Sequence, residues 1–122
     1  MSWTYSQSQG KMWNSNAPTA IFLGYSGAYG FGSAEFQQDH NIGPLPQGTY
    51  TIGAAQDHPV LGPLALPLTP DPANEMFGRS GFFIHGDNAS HPGHSSDGCI
   101  IMGPAQRQAI SASGDTELQV VS

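Results

Sequence analysis

The chain has 122 residues, a formal net charge of -6 and only 10% charged residues, with Lys11, Arg79 and Arg107 as its only lysine or arginine side chains. So few cations cannot neutralise a run of phosphates, which argues against nucleic acid and against an anionic membrane surface as partners. The length suits one domain, 1–122, and the sixteen glycines and ten prolines favour short strands joined by turns over long helices.

The start, Met1-Ser2-Trp3-Thr4-Tyr5, has no basic flank and no apolar stretch of an export signal, and no run anywhere is long and apolar enough to insert in a bilayer. Trp3, Tyr5 and Gln7 alternate with Thr4, Ser6 and Ser8, the period of a half-buried strand, and Gln9-Gly10 turns the chain into Lys11-Met12-Trp13 to complete a hairpin. Ala20 to Ser26 reads as a further strand, followed by a glycine-rich loop to Ser33. No helix and no Lys-Ser/Thr pair follow that loop, so it is not a phosphate cradle. Glu35 to Asn41 is polar loop or a turn of helix. Gly43-Pro44-Leu45-Pro46-Gln47-Gly48 is rigid punctuation before a strand at Thr49 to Ile52. Leu64 to Thr69 is apolar, and Pro67 confines it to an edge or a bulge. Pro104 suits the first position of a helix over Ala105 to Ala112 that stops at Ser113-Gly114, and Leu118 to Val121 closes the chain as a strand. The expected fold is mostly β, a barrel or sandwich of six or seven strands with one short helix.

The chemistry concentrates in Gly81 to Met102, GFFIHGDNASHPGHSSDGCIIM. Phe82-Phe83-Ile84 delivers His85, and fourteen residues later the only cysteine, Cys99, stands between Gly98 and Ile100-Ile101-Met102. One cysteine excludes an internal disulfide. An ordinary thiol, with a pKa of about 8.5, is only slightly ionised at neutral pH, and a neighbouring imidazole would take its proton to give the attacking thiolate. If the two apolar runs are adjacent strands, the loop between them closes like a hairpin and brings His85 towards Cys99. Gly98 allows a sharp bend before the thiol, so that main-chain N–H groups near Cys99 face a developing oxyanion.

His85-Gly86, the polar loop, Ser96-Asp97-Gly98-Cys99-Ile100 and the upstream Gly43 to Tyr50 segment together resemble the L,D-transpeptidase (YkuD-like) catalytic domains. The likeness is to the compact branch found as antibacterial effectors of the type VI secretion system. It implies a cysteine peptidase or transpeptidase of peptidoglycan stem peptides, without a cofactor. Cys99 would attack the carbonyl at the L-centre of meso-diaminopimelate in a tetrapeptide stem and expel the terminal D-alanine. His85 would be the base, a main-chain carbonyl near Gly86 would orient it, and the N–H groups of Gly98 and Cys99 would form the oxyanion hole. Larger members carry Ser-His-Gly-Cys, whereas here Asp97 replaces that histidine and Ile100-Ile101 follow the thiol; hydrolysis or exchange is therefore expected over wall cross-linking. The effector likeness further implies action in the periplasm of a neighbouring cell, delivery by a secretion-system component without a classical signal, and a cognate immunity protein.

The remaining site residues carry two readings each. Ser96 hydrogen-bonds within the catalytic turn or is plain turn chemistry. Arg79 holds a substrate carboxylate or is a solvated loop arginine. Tyr25 and Tyr50 line the groove or belong to the core, and Asp97 borders the substrate. A second class of function is a zinc hydrolase using His85, His91, His94 and Cys99, and a third is a non-catalytic wall-binding module.

Overall fold

The computed structural model describes residues 2–27, 32–40, 42–87, 96 and 98–122. Part of the glycine-rich loop after Ser26, together with His91, His94 and Asp97, lies outside the described residues. Among the described residues nine strands form rather than six or seven: β1 (Trp3–Ser6), β2 (Lys11–Asn14), β3 (Ala17–Ser26), β4 (Gly48–Ile52), β5 (Gln56–His58), β6 (Gly62–Pro70), β7 (Phe83–His85), β8 (Ile100–Met102) and β9 (Glu117–Val121). One α-helix, α1 (Pro104–Ala112), follows β8, and a single 3-10 turn spans Ala34–Phe36. No helix among the described residues is long and apolar enough to cross a membrane.

Alternating side chains explain the sheet. Trp3 and Tyr5 of β1, Tyr50 and Ile52 of β4, and Leu118 and Val120 of β9 point inward to one core with Met12, Leu66, Leu68, Ile84, Ile100 and Met102. The strands run in the order β4-β9-β1-β2-β3-β8-β7-β6-β5, and β6 also pairs with β4, so the sheet closes into a barrel with β5 as an appendage. The expected hairpin of β1 and β2 is present, with Tyr5 opposite Met12. The C-terminal strand β9 enters between β1 and β4, parallel to the former and antiparallel to the latter.

Two local readings are corrected. β6 is not an edge strand: it pairs with β7 on one side and with β5 and then β4 on the other. Pro67 is tolerated because it stands where β6 changes from one partner to the next, its carbonyl accepting from Gly53 N–H at 2.8 Å. Second, Tyr50 lines no groove. It is 1% exposed, its hydroxyl donates to the Pro46 carbonyl at 2.7 Å, and burial raises its pKa. That bond anchors the Gly43 to Pro46 segment, which is a buried block rather than a surface turn.

The Tyr50→Phe variant removes one buried hydrogen bond and leaves the ring, so we expect a loss of about 1 kcal/mol in urea unfolding. Unchanged stability would show that the hydroxyl is not held on Pro46.

Candidate functional site

The adjacency of the two apolar runs is correct, but their sense is not. β7 and β8 are parallel neighbours, with Ile84 opposite Ile100 and His85 opposite Ile101. A tight hairpin cannot join parallel strands; a crossover of a dozen or more residues can, and the fourteen residues from Gly86 to Cys99 suffice. Cys99 stands just before β8 and turns its Sγ toward β7, where it accepts the Phe83 N–H at 3.3 Å. Phe83 and His85 share one face of β7, so the thiol lies beside the strand that carries the imidazole, about 7 Å short of His85 along it.

His85 is 4% exposed, and its Nδ1 lies 2.9 Å from the Gly86 carbonyl. A carbonyl can only accept, so Nδ1 carries the proton and Nε2 of the neutral ring keeps its lone pair. Burial lowers the His85 pKa below its ordinary 6.5; the Gly86 carbonyl pulls it back, Arg107 and His58 lower it further, and Asp87 raises it. The ring is thus held as a neutral base at neutral pH.

The turn before the thiol is braced by two serines. Ser96 Oγ accepts from Gly27 N–H at 2.8 Å and Gly98 N–H at 3.1 Å and donates to the Cys99 carbonyl at 2.6 Å, using its full hydrogen-bonding capacity. Ser26 Oγ donates to the Gly98 carbonyl at 2.9 Å and accepts from Leu45 N–H at 2.8 Å. Ser26 escaped the sequence reading; its signal was a small hydroxyl at the end of a strand, directly before a glycine. The Gly98 N–H, expected to face an oxyanion, is committed to Ser96 instead.

Arg79 also has a different part from the one expected. It is 6% exposed, and its guanidinium donates through Nη1 to the Gln37 and Pro44 carbonyls and through Nη2 to the Gly43 carbonyl, at 2.6, 2.7 and 2.9 Å. Its Cζ lies 5.3 Å from the centre of the Phe82 ring. Burial lowers its pKa, while Tyr50, Asp39 and Cys99 favour its charge. The reading as a solvated loop arginine is therefore wrong, and the fork expected for a substrate carboxylate is engaged with main-chain carbonyls. Gly98, at φ +136°, presses on the same group: a Cβ there would come within 2.5 Å of Arg79 Nη2 and 2.6 Å of the Phe82 ring.

Beyond His85 the same sheet face opens into a groove of ≈ 370 Å³, lined by Tyr25, Gly86, Asp87, Ile101, Gly103 and Arg107 among others. Tyr25 and His85 both lie level with Ile101, one on each side of it. The Tyr25 hydroxyl donates to Asp87 Oδ1 at 2.7 Å, closing one wall of the groove. Tyr25 and Gly86 border this groove, and so do Asp87 and Arg107, which were not singled out as groove residues. For the zinc reading, no three histidine, cysteine or acidic side chains gather as a ligand set among the described residues.

A family model described as the Tlde1 domain matches residues 20–122, which include every residue of this site. No curated protein matches the chain in sequence. Among solved structures, Bd1075 of Bdellovibrio bacteriovorus superposes with a TM-score of 0.67 at 15% identity, over 98% of this chain and 46% of that one. L,D-transpeptidase 1 of Mycobacterium tuberculosis superposes with a TM-score of 0.62 at 17% identity, over 99% of this chain and 58% of that one. The chain thus spans about half the length of these solved structures, and the likeness to them is one of fold.

Replacing Ser96 with Ala leaves two buried N–H groups and a carbonyl without their partner. We expect a destabilisation of about 1–3 kcal/mol in chemical unfolding; a variant as stable as the parent would show that the hydroxyl does not brace the turn.

Proposed function

The chain belongs to the Tlde1 domain family and has an L,D-transpeptidase-like fold, and from that premise we propose that it is a cysteine L,D-carboxypeptidase or L,D-transpeptidase of peptidoglycan stem peptides. The observation that carries the reading is the thiol of Cys99 beside β7, two residues from an imidazole whose Nδ1 is tied to the Gly86 carbonyl. That hydrogen bond leaves Nε2 as the basic atom.

In the proposed reaction His85 Nε2 takes the proton of the Cys99 thiol, and the sulfur attacks the L-centre carbonyl of meso-diaminopimelate in a tetrapeptide stem. The carbonyl oxygen becomes an oxyanion facing the Cys99 N–H, because that of Gly98 is engaged by Ser96. As the carbon–nitrogen bond breaks, Nε2 returns its proton to the departing D-alanine amine and a thioester remains. Water then attacks, giving its proton to Nε2, and the carbon–sulfur bond breaks with reprotonation of the thiol. An amine in place of water gives exchange or transpeptidation. In the sequence, Asp97 before Gly98 and Ile100-Ile101 after the thiol take the place of the polar neighbours of larger transpeptidases, which favours hydrolysis or exchange.

As a toxin the domain would act in the periplasm of a target bacterium, delivered by a type VI apparatus and held inactive in sister cells by an immunity protein over the cleft. We expect Cys99→Ala and His85→Ala each to abolish D-alanine release from tetrapeptide muropeptides while keeping the far-ultraviolet dichroism of the parent. Full turnover by Cys99→Ala would remove the enzyme reading. In the parent, the acid limb of kcat/KM should fall below pH 6.5, because burial favours the neutral imidazole that accepts the proton.

Periplasmic expression should arrest growth of a bacterium with diaminopimelate stems, and the Cys99→Ala form should not. Equal growth of cells making the two forms would sink the toxin assignment.

A further inference from the structure

The groove beyond His85 holds a cation that the reaction does not use. Arg107 is 8% exposed, and its Nη1 donates to the Pro63 and Leu64 carbonyls at 2.8 and 3.3 Å. Its Nε is buried without a hydrogen-bond partner, and no acidic side chain among the described residues pairs with its charge. The guanidinium packs against Gly86, where an added Cβ would come within 2.9 Å of Nη2, so the glycine after the base is what lets this cation reach the groove.

A second source of positive potential meets it there. α1 begins at Pro104 after Gly103, both on the groove wall, and no side chain caps this end. Proline has no N–H, and the Arg107 N–H already bonds the Gly103 carbonyl at 3.0 Å, leaving the Ala105 and Gln106 N–H groups of the first turn outside the helical ladder. A buried, incompletely partnered guanidinium and an uncapped helix start on one groove both favour an anion there. Asp87 lines the same groove, its carboxylate accepting from the Tyr25 hydroxyl.

We infer that this groove binds the far, zwitterionic end of the diaminopimelate side chain, with Arg107 and the start of α1 taking its carboxylate and Asp87 its ammonium. This rests on the function proposed above. Reach selects that carboxylate over the one on the departing D-alanine. Met102 and Gly103 lie about 10 Å or more along the sheet from Cys99. The D-alanine carboxyl carbon is three bonds from the reacting carbonyl and the side-chain carboxyl carbon is six, each about 1.5 Å, and a hydrogen bond to the cation spans about 3 Å more, for reaches of about 7 Å and about 11 Å. Only the longer arm extends from the thiol into the groove.

The test uses calorimetric binding to the Cys99→Ala protein, so that it does not depend on turnover. The ligands are the meso-diaminopimelate tetrapeptide, the same peptide with its side-chain carboxylate amidated, and the lysine tetrapeptide, which lacks that carboxylate. We expect the acid to bind about tenfold or more tightly than either of the others, the scale of a lost charge-assisted contact. Adding Arg107→Gln should bring acid and amide to equal affinity. Equal binding of acid and amide by the Cys99→Ala protein, or binding of none of the three, overturns the subsite. This comparison holds even if the Arg107 variant does not fold. Selective binding of the acid without D-alanine release by the parent enzyme would instead overturn the catalytic reading and leave the subsite standing.

Discussion

The turn that presents Cys99 depends on a buried polar frame beneath it. Gly43 to Pro46, Ser26, Ser96 and Arg79 form one connected set of hydrogen bonds around Gly98, and Cys99 is the next residue in the chain. Buried polar groups cost stability unless they are paired, so a turn held this way has few alternative positions. The apolar side of the same frame is Phe82, on which the Arg79 guanidinium rests and against which Gly98 fits without a Cβ. Hydrogen bonds and close packing thus fix the same three residues, Ser96, Gly98 and Cys99.

Two of the three strong cations of an acidic chain lie buried near this site, and they differ in what they bind. Arg79 saturates carbonyls of the segment under the turn, and the Cys99 charge favours its ionised form. Arg107 is held by only two carbonyls and keeps donors without partners. Its field also helps hold His85 neutral.

Parallel pairing of β7 and β8 gives the site its layout. In a hairpin the two residues flanking the loop would face each other across the turn. In the parallel register, Cys99 instead lies level with Phe83, and His85 lies level with Ile101 farther along. The offset leaves His85 between the level of the thiol and the groove lined by Gly86, Asp87 and Ile101. Tyr25, level with Ile101 on β3, extends that face by one strand and carries Asp87 with it.

Much of this was legible in the chain itself. Alternation marked β1, the rigid Gly43 to Gly48 segment marked the entry to β4, Pro104 marked the start of α1, and the Gly43 to Tyr50 and His85 to Ile100 stretches carried the family resemblance, because these features are written in short local runs. Tertiary structure alone decided the rest. Whether β7 and β8 run parallel or antiparallel depends on which strands already flank them, and a fourteen-residue connection permits either. Tyr50 became core, Arg79 became a brace and Ser26 joined the turn because each answers to partners nineteen or more residues away or to the closure of the barrel. A side chain's type states what it can bond to, and only the folded chain determines which partner reaches it first.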